Sequence, residues 1–176
     1  MKTTNKLKLQ HSTTTQSANS MLVFTVQKNK KSSLIDVLNQ VLASTLDLKL
    51  QAKQAHWNLK GPNFISVHEL FDKVASEVDE HADTLAERVM QLGGQAQGTS
   101  QAIVRTSILP VYPTNLIKAA DHLAAIANAI GIVSKLNCDL VEAADSVNDV
   151  VTADIGTGIA RGLDKLHWFV RSHLQG

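Results

Sequence analysis

Five residues with metal-binding side chains lie within one 32-residue stretch of the chain. Two are histidines, His56 and His68, and three are carboxylates, Asp72, Asp83 and Glu87. Neutral imidazole and carboxylate oxygen suit iron, zinc or manganese, and a donor set without thiolates favours a metal such as non-haem iron. A single carboxylate on a helix more often only faces solvent. Five donors so close together predict a metal site.

The spacing of four of these donors places them on one face of a helix. His68 and Asp72 are four residues apart, as are Asp83 and Glu87, so each pair lies about one turn apart on the same side. At roughly 100° per residue, all four side chains fall on one stripe. Asp72 and Asp83 are nevertheless about 16 Å apart along the axis, so one metal cannot bind both pairs of one chain. If two copies of the helix lie antiparallel, His68 and Asp72 of one copy face Asp83 and Glu87 of the other.

The chain that carries these donors is predicted to form four amphipathic helices, with the donors on the first two. Gly61 and Pro62 interrupt the helical pattern after the first, and Gly93 and Gly94 after the second. A long connection over residues 95–113, with room for a short helix, follows the second. This pattern predicts an all-α four-helix bundle with a long crossover between helices 2 and 3. Apolar residues recur at helical spacing over about 34–56, 64–92, 114–144 and 152–174.

The N-terminal part of the chain differs in charge from the rest. Residues 1–35 hold six lysines and no acidic residue, whereas the remainder holds 11 basic and 16 acidic residues. A basic arm on an acidic body indicates contact with nucleic acid, and a solvated tail explains the same composition. We predict a flexible basic tail over residues 1–31 and one bundle domain over residues 32–174. Ser32 or Ser33 would be the N-cap of the first long helix.

Two further features bear on where the protein works. The longest dense apolar run, Met21 to Val26, is far too short to span a bilayer, so no membrane partner is expected. Cys138 is the single cysteine and cannot form an intrachain disulfide. A reducing compartment, the cytoplasm, is the expected location.

The donors belong to a longer pattern that resembles the Dps family, the DNA-protecting mini-ferritins of starved bacterial cells. The donors themselves follow H-x11-H-x3-D-x10-D-x3-E, and no position departs from this specific spacing. The resemblance covers about residues 32–174. The matching segments are KQAHWNLKGPNF at 53–64, VHE at 67–69, DTLAER at 83–88, QLGG at 91–94, YP at 112–113, TADI at 152–155, LDK at 163–165 and WF at 168–169.

The resemblance implies a hollow homododecamer of ferritin-like bundles with di-iron ferroxidase sites at its two-fold interfaces. His56, His68 and Asp72 of one subunit would bind iron together with Asp83 and Glu87 of its partner, and these five residues would be the catalytic set. Such a ferroxidase oxidises Fe(II), with hydrogen peroxide or oxygen as acceptor, and stores Fe(III) mineral. Zinc or manganese would compete for the site. Consuming Fe(II) and peroxide would protect DNA from oxidative damage.

Two other functions are weighed against this one. The alternative is a DNA-binding protein that compacts the nucleoid, mainly through its lysine-bearing N-terminal arm. A ferritin with its di-iron site inside one bundle is the third, but that site needs Glu-x-x-His on two helices. No Glu-x-x-His occurs in the chain.

Residues beside the five donors have weaker assignments. Trp57 and Lys53 flank the site. Trp57 would be within reach of oxidising equivalents, with interface packing as the alternative. Lys53 would orient a carboxylate or a bound peroxide, with a plain surface lysine as the alternative. His81 lies about 160° around the helix from Asp83 and should point away from it. His167, three residues after Asp164, has a metal-binding spacing, but a packed or solvent-facing histidine explains it as well.

The C-terminal half offers further candidates. His173 is a possible contributor to the metal site with no place in the family pattern. Asp149 and Asp154 are candidates, by family resemblance, for an acidic pore that concentrates Fe(II) at a three-fold axis. A solvated helix face with a loop is the alternative for these two carboxylates.

Overall fold

Five α-helices and no strand make up the part of the chain that the structure describes. A computed structural model gives the backbone of residues 6–174 and the side chains of residues 32–174. The all-α prediction is confirmed. The helices are α1 (Lys6–Asn58), α2 (Phe64–Gln91), α3 (Ser100–Thr106), α4 (Ala119–Asp145) and α5 (Val150–Ser172).

The four long helices form a bundle of two hairpins. Short turns join α1 to α2 and α4 to α5, and the helices of each hairpin pack along each other. The hairpins meet where α1 packs on α4 and α2 on α5. The connection between α2 and α4 carries α3, which packs on α1. This is the predicted four-helix bundle with a long crossover, and the short helix falls within the predicted connection.

Turn residues fix the ends of α2, the helix that carries four of the five donors. Gly61 and Asn63 adopt left-handed backbone conformations, with φ of 123° and 63°, and turn the chain sharply before α2 begins. At the other end Gly93 has a φ of 80°, and the amide of Gly94 donates to the carbonyl oxygen of Val89. The predicted span of this helix is confirmed to within one residue.

Two predicted helix starts were wrong. The third long helix begins at Ala119 and not near residue 114, because the amide of Lys60 donates to the carbonyl oxygen of Ile117 and holds the preceding segment extended. The first helix begins at Lys6, so the predicted N-cap residues Ser32 and Ser33 lie inside it; no glycine or proline interrupts the chain before the turn at Gly61. The predicted flexibility of residues 1–31 stays a prediction, because their side chains lie outside the described residues.

The core lies along the axis of the bundle. Among the described residues, α4 is the one helix long and apolar enough to cross a bilayer by composition alone. Its apolar face is accounted for by the bundle, because Ile126, Ile130 and Val133 are fully buried there. The largest completely buried side chains include Phe71, Leu38, Leu48, Leu85, Leu140 and Leu163.

Close helix packing explains two of the three glycines inside α5. A Cβ atom on Gly156 would lie 3.0 Å from Cγ2 of Val141 on α4. A Cβ atom on Gly162 would lie 2.9 Å from Nε2 of His81 on α2. Nothing lies within 4 Å of the corresponding position at Gly158. His81 therefore faces α5, and the prediction that it points away from Asp83 is confirmed.

Candidate metal centre

The turn between α1 and α2 brings the two predicted histidine ligands face to face. His56 lies in the last turn of α1 and His68 in the second turn of α2. Their rings stack with centroids 3.6 Å apart and an angle of 20° between the planes. Both side chains are partly exposed. The convergence of these residues around the Gly61-Pro62-Asn63 bend is thus present within a single subunit.

Each histidine is oriented by the backbone of the other. Nδ1 of His56 donates to the carbonyl oxygen of His68 over 2.8 Å, and Nδ1 of His68 donates to the carbonyl oxygen of His56 over 2.9 Å. A carbonyl only accepts, so both Nδ1 atoms carry the proton. In the neutral tautomer the lone pair is then on Nε2, the atom that remains for a metal. Metal-binding histidines are commonly held in this way.

Asp72 lies one turn beyond His68 and is already engaged with a cation. Nζ of Lys53 on α1 lies 2.6 Å from Oδ1 of Asp72. The hydrogen bond from Lys53 is the main cause that lowers the pKa of Asp72 below its ordinary value, and the nearby histidines act in the same direction. Lys53 also lies 5.7 Å from the centroid of the Trp57 ring, which is 68% exposed. The carboxylate is thus kept ionised at neutral pH.

The second pair of predicted ligands, Asp83 and Glu87, lies farther along α2. Both carboxylates are exposed to solvent. Asp83 borders a shallow surface cleft of about 350 Å³ between α1, α2 and the start of the crossover. Neither side chain forms a hydrogen bond or ion pair with another described residue. They are therefore free to face a molecule outside the subunit.

The five predicted ligands do not converge within one subunit. Across residues 32–174, no three His, Cys, Asp or Glu side chains are grouped closely enough to hold a metal ion. One subunit instead presents two separate groups of ligands. His56, His68 and Asp72 lie near the α1–α2 turn, and Asp83 and Glu87 lie farther along α2. A set of imidazoles and carboxylates fits a divalent metal such as Fe(II) in chemistry, while its geometry within one subunit is incomplete.

Of the other candidate histidines, His173 has a hydrogen-bond partner and His167 borders surface clefts. Nδ1 of His173 donates to the carbonyl oxygen of Phe169 over 2.9 Å. His167 borders two surface clefts, one of which Gly131 also lines, and Asp164 accepts a hydrogen bond from Ser134 over 2.7 Å. Neither histidine joins a group of three potential ligands in the described part of the chain.

Asp149 has a structural role that the pore interpretation did not foresee. Its carboxylate caps α5 by accepting from the amide of Thr152, and both of its oxygens accept from Nη2 of Arg88, at 2.7 and 2.9 Å. These donors hold the carboxylate of Asp149 in place within one subunit, and its assignment to a pore stays a prediction. Asp154 is exposed, and its assignment to a pore stays a prediction.

The sequence interpretation also missed a buried polar pair. The hydroxyl of Tyr112 in the crossover lies 2.6 Å from Nδ1 of His122 on α4. A signal was present, because His122 directly precedes Leu123 in the apolar stripe of α4 and so falls on the buried face. The partner, ten residues earlier in an irregular segment, could not be inferred from periodicity.

Comparison with known proteins places this geometry among ferritin-like folds. The Ferritin-like domain family matches residues 35–176. A DNA protection during starvation protein from Agrobacterium fabrum is 49% identical over 147 residues, which cover 84% of this chain and 91% of that protein.

Solved structures agree with the sequence relatives. A C-terminal deletion mutant of Mycobacterium smegmatis Dps is 36% identical, with a TM-score of 0.77, covering 81% of this chain and 99% of that chain. The high iron form of Dps from Microbacterium arborescens is 30% identical, with a TM-score of 0.78, covering 84% and 95%. Both the fold and the order of helices are therefore shared over the bundle domain.

Proposed function

Because this chain belongs to the Dps family of ferritin-like proteins, we propose that it oxidises Fe(II), stores the Fe(III) formed and thereby protects DNA. Fe(II) and hydrogen peroxide, or oxygen, are the substrates. The observation that carries the proposal is the stacked pair His56 and His68, whose Nδ1 protons are bound to each other's carbonyl oxygens. A pair held in this way offers two Nε2 lone pairs to a metal without rearrangement.

The second half of the site is proposed to come from another subunit. His68 and Asp72 centre on residue 70, and Asp83 and Glu87 on residue 85. At 1.5 Å per residue, the centres of the two ligand pairs therefore lie roughly 22 Å apart along α2. A two-fold axis near residues 77–78, with the helices antiparallel, would bring each half opposite its complement. An isologous interface of this kind creates two equivalent sites. The exposure of Asp72, Asp83 and Glu87 supports this arrangement.

Each residue then has a defined task. His56 and His68 bind iron through Nε2, and the carboxylates of both subunits neutralise its charge. Fe(II) entering the site displaces Lys53 from Asp72, because the ammonium and the metal compete for the same oxygens. Two Fe(II) ions and one hydrogen peroxide, with two protons, yield two Fe(III) ions and two waters. Oxidation by two electrons consumes peroxide without releasing a hydroxyl radical, and this would protect DNA.

A closed homododecamer in the cytoplasm is the assembly that we infer for this activity. The stored mineral needs an enclosed volume, and the shared site needs at least a pair of subunits. Light scattering at micromolar protein concentration tests this inference. A stable monomer would contradict both the assembly and the shared site.

DNA contact is a second candidate function, and the charge of the chain favours one route for it. The body that follows residue 35 has an excess of acidic residues and repels phosphate, whereas Lys2, Lys6 and Lys8 lie in the N-terminal arm. The side chains of this arm lie outside the described residues. Deleting residues 1–20 should abolish DNA binding at low salt and leave iron oxidation unchanged. A gel shift as strong as that of the full chain would exclude the arm.

Rapid mixing of the metal-free protein with Fe(II) tests the proposed activity. Oxidation should be fast with peroxide or oxygen in the full chain and much slower in His56→Ala, which removes one ligand but little of the apolar core. Asp36→Ala provides a control, because Asp36 is an exposed carboxylate on α1. Equal rates in the full chain and in His56→Ala would contradict the assignment.

A further inference from the structure

A tyrosine and a histidine that the iron site does not use form a buried hydrogen-bonded pair. Tyr112 is the only tyrosine in the chain. Its hydroxyl lies 2.6 Å from Nδ1 of His122, with the ring centroids 6.1 Å apart. His122 is 1% exposed, whereas Tyr112 is half-buried in the crossover. The phenol therefore has one side towards solvent and its proton directed into the bundle.

The direction of this hydrogen bond follows from the burial of both groups. Burial is the main cause that lowers the pKa of His122, so the imidazole is neutral near pH 7. Burial also raises the pKa of Tyr112 to about 12, so the phenol keeps its proton. A neutral phenol then donates to the lone pair on Nδ1, and the histidine proton lies on Nε2. The pair is a weak acid already in contact with a free base.

We propose that Tyr112 and His122 form a redox pair, in which Tyr112 gives up one electron while its proton moves to Nδ1 of His122. The O–H bond of the phenol breaks and an N–H bond forms, leaving a neutral phenoxyl radical beside an imidazolium. The electron passes to a one-electron oxidant of the hydroxyl-radical class, which becomes hydroxide. Fe(II) can then return an electron, giving Fe(III), and the proton moves back to the phenol oxygen. The inference rests on the proposed function, because a single Fe(II) ion that meets peroxide outside the shared two-iron site reduces it by one electron and yields such oxidants.

Two groups beside His122 partly offset the cost that burial places on its protonated ring. Asp121, next in the chain, and the backbone of Leu116 both stabilise the protonated ring. Without a base in place, oxidation would produce a strongly acidic phenol cation inside the protein, which is costly in a medium of low polarity.

The fold also connects the pair to the histidines of the candidate metal centre. The amide of Lys60, in the turn between His56 and His68, donates to the carbonyl oxygen of Ile117 in the crossover that carries Tyr112. Trp57 is nearer in sequence to these ligands, but the ammonium of Lys53 above its ring opposes the loss of an electron from the indole. Tyr112, with a base in contact, is the more favourable final site for an oxidising equivalent.

The first experiment needs no iron and so does not depend on the proposed function. Azide radicals generated by pulse radiolysis would oxidise the metal-free full chain while the phenoxyl absorption is followed. We expect a phenoxyl signal in the unmodified protein and none in Tyr112→Phe. His122→Gln keeps an acceptor for the hydroxyl but removes the base, and should slow phenoxyl formation by about 100-fold, the lower end of what a positioned base contributes. An unchanged rate in His122→Gln would overturn the proposal.

A spectroscopic measurement covers the outcome in which His122→Gln does not fold. In the unmodified protein exchanged into heavy water, the phenoxyl radical should show hyperfine coupling to one exchangeable deuteron on an imidazole nitrogen. A radical without this coupling would show that the proton had left to solvent, which overturns the pair.

The second experiment adds iron and separates the two proposals. Fe(II)-loaded protein is mixed with peroxide, frozen within milliseconds and examined by electron paramagnetic resonance, while iron oxidation is followed optically. A phenoxyl signal that Tyr112→Phe lacks supports the role of the pair. Iron oxidation without such a signal overturns that role and leaves the ferroxidase intact. If iron is not oxidised, the proposed function fails and the metal-free experiment alone decides the redox pair.

Discussion

Replacing Arg88 by methionine tests how the α4–α5 turn is attached to α2. The guanidinium binds both oxygens of Asp149, at 2.7 and 2.9 Å, and its Nε donates to the hydroxyl of Thr152 over 2.8 Å. The side chains of Arg88 and Asp149 are only 12% and 15% exposed. Arg88→Met keeps most of the apolar stem but leaves the carboxylate of Asp149 poorly solvated and without its cation.

The expected loss follows from this burial. Removing one partner of a buried ion pair costs about 3–5 kcal/mol, and the residual exposure here points to the lower end, about 3 kcal/mol. In a chain of this size that corresponds to a fall in melting temperature of roughly 6–12 °C. Asp149→Ala should cost at least as much, because it also removes the N-cap of α5. The double variant should lose about 2 kcal/mol less than the sum of the single variants.

Thermal and urea unfolding, followed by circular dichroism at one fixed protein concentration, measures these losses. Lys135→Met is the matched control, because its partner Asp139 and Lys135 itself are largely exposed. This control should lose less than about 1 kcal/mol. A loss in Arg88→Met no larger than in Lys135→Met, or strict additivity in the double variant, would refute the reasoning.

The same contacts predict an acid limit to stability. Burial raises the pKa of Asp149, but hydrogen bonds from Thr152 and Arg88 outweigh it and hold the pKa below the ordinary value of 3.8. A carboxylate with a lowered pKa stabilises the fold above its unfolded pKa, and this contribution is lost as the pH falls through the folded pKa. The part that Asp149 contributes should therefore vanish only below about pH 3.8.

Three further predictions concern other parts of the bundle. Gly156→Ala should lower the free energy of unfolding by about 1–3 kcal/mol through overpacking. Gly158→Ala, which meets open space, should leave the free energy of unfolding unchanged or raise it by up to about 1 kcal/mol. Urea titrations measure both changes. Burial lowers the pKa of His81 below 6.5, so the contribution of this side chain to stability is lost as the pH falls from 6.5 towards the folded pKa. The melting temperature of His81→Gln should therefore fall less between pH 7 and pH 5 than that of the unmodified protein. Lys53→Met should tighten anaerobic Fe(II) binding a few-fold, because it frees the carboxylate of Asp72. Lys49→Met removes a similar ion pair elsewhere on α1 and should not change Fe(II) binding. Weaker binding in Lys53→Met would show that this lysine orients the carboxylate for iron.

The sequence was sufficient to predict the bundle because its helices are amphipathic over many turns. Apolar residues at spacings of three and four mark the buried face of α2 from Val67 to Val89, and glycines mark both its ends. The convergence of His56 and His68 was predictable for the same reason, since a short turn between two helices leaves little freedom. Periodicity gave no warning of the N-terminal extension of α1, because the chain before residue 32 lacks both a strong pattern and a helix breaker.

Contacts between distant segments were beyond such reasoning. The ion pair of Asp149 could not be inferred, because the cation that binds it, Arg88, is 61 residues away in the chain. The bond between Tyr112 and His122 depends on where the crossover returns to the bundle, which no local pattern specifies. The need for Gly162 could likewise be seen only once His81 had been placed opposite it.

Mixing two inactive variants tests most directly whether iron is oxidised at a site shared by two subunits. His68→Ala lacks a ligand in one half-site, and Asp83→Ala lacks a ligand in the other. Co-refolded at equal amounts, they should regain about a quarter of the sites, because a two-fold pair of unlike subunits has one intact site and one with both lesions. Mass spectrometry of differently tagged subunits confirms that mixing has occurred.

A mixture of His68→Ala with Asp72→Ala is the control, because both lesions lie in the same half-site and no combination of subunits restores it. We predict peroxide-driven Fe(II) oxidation near a quarter of the unmodified rate in the first mixture and none above the single variants in the control. Demonstrably mixed oligomers of His68→Ala and Asp83→Ala with no more activity than either variant alone would contradict a site shared between subunits.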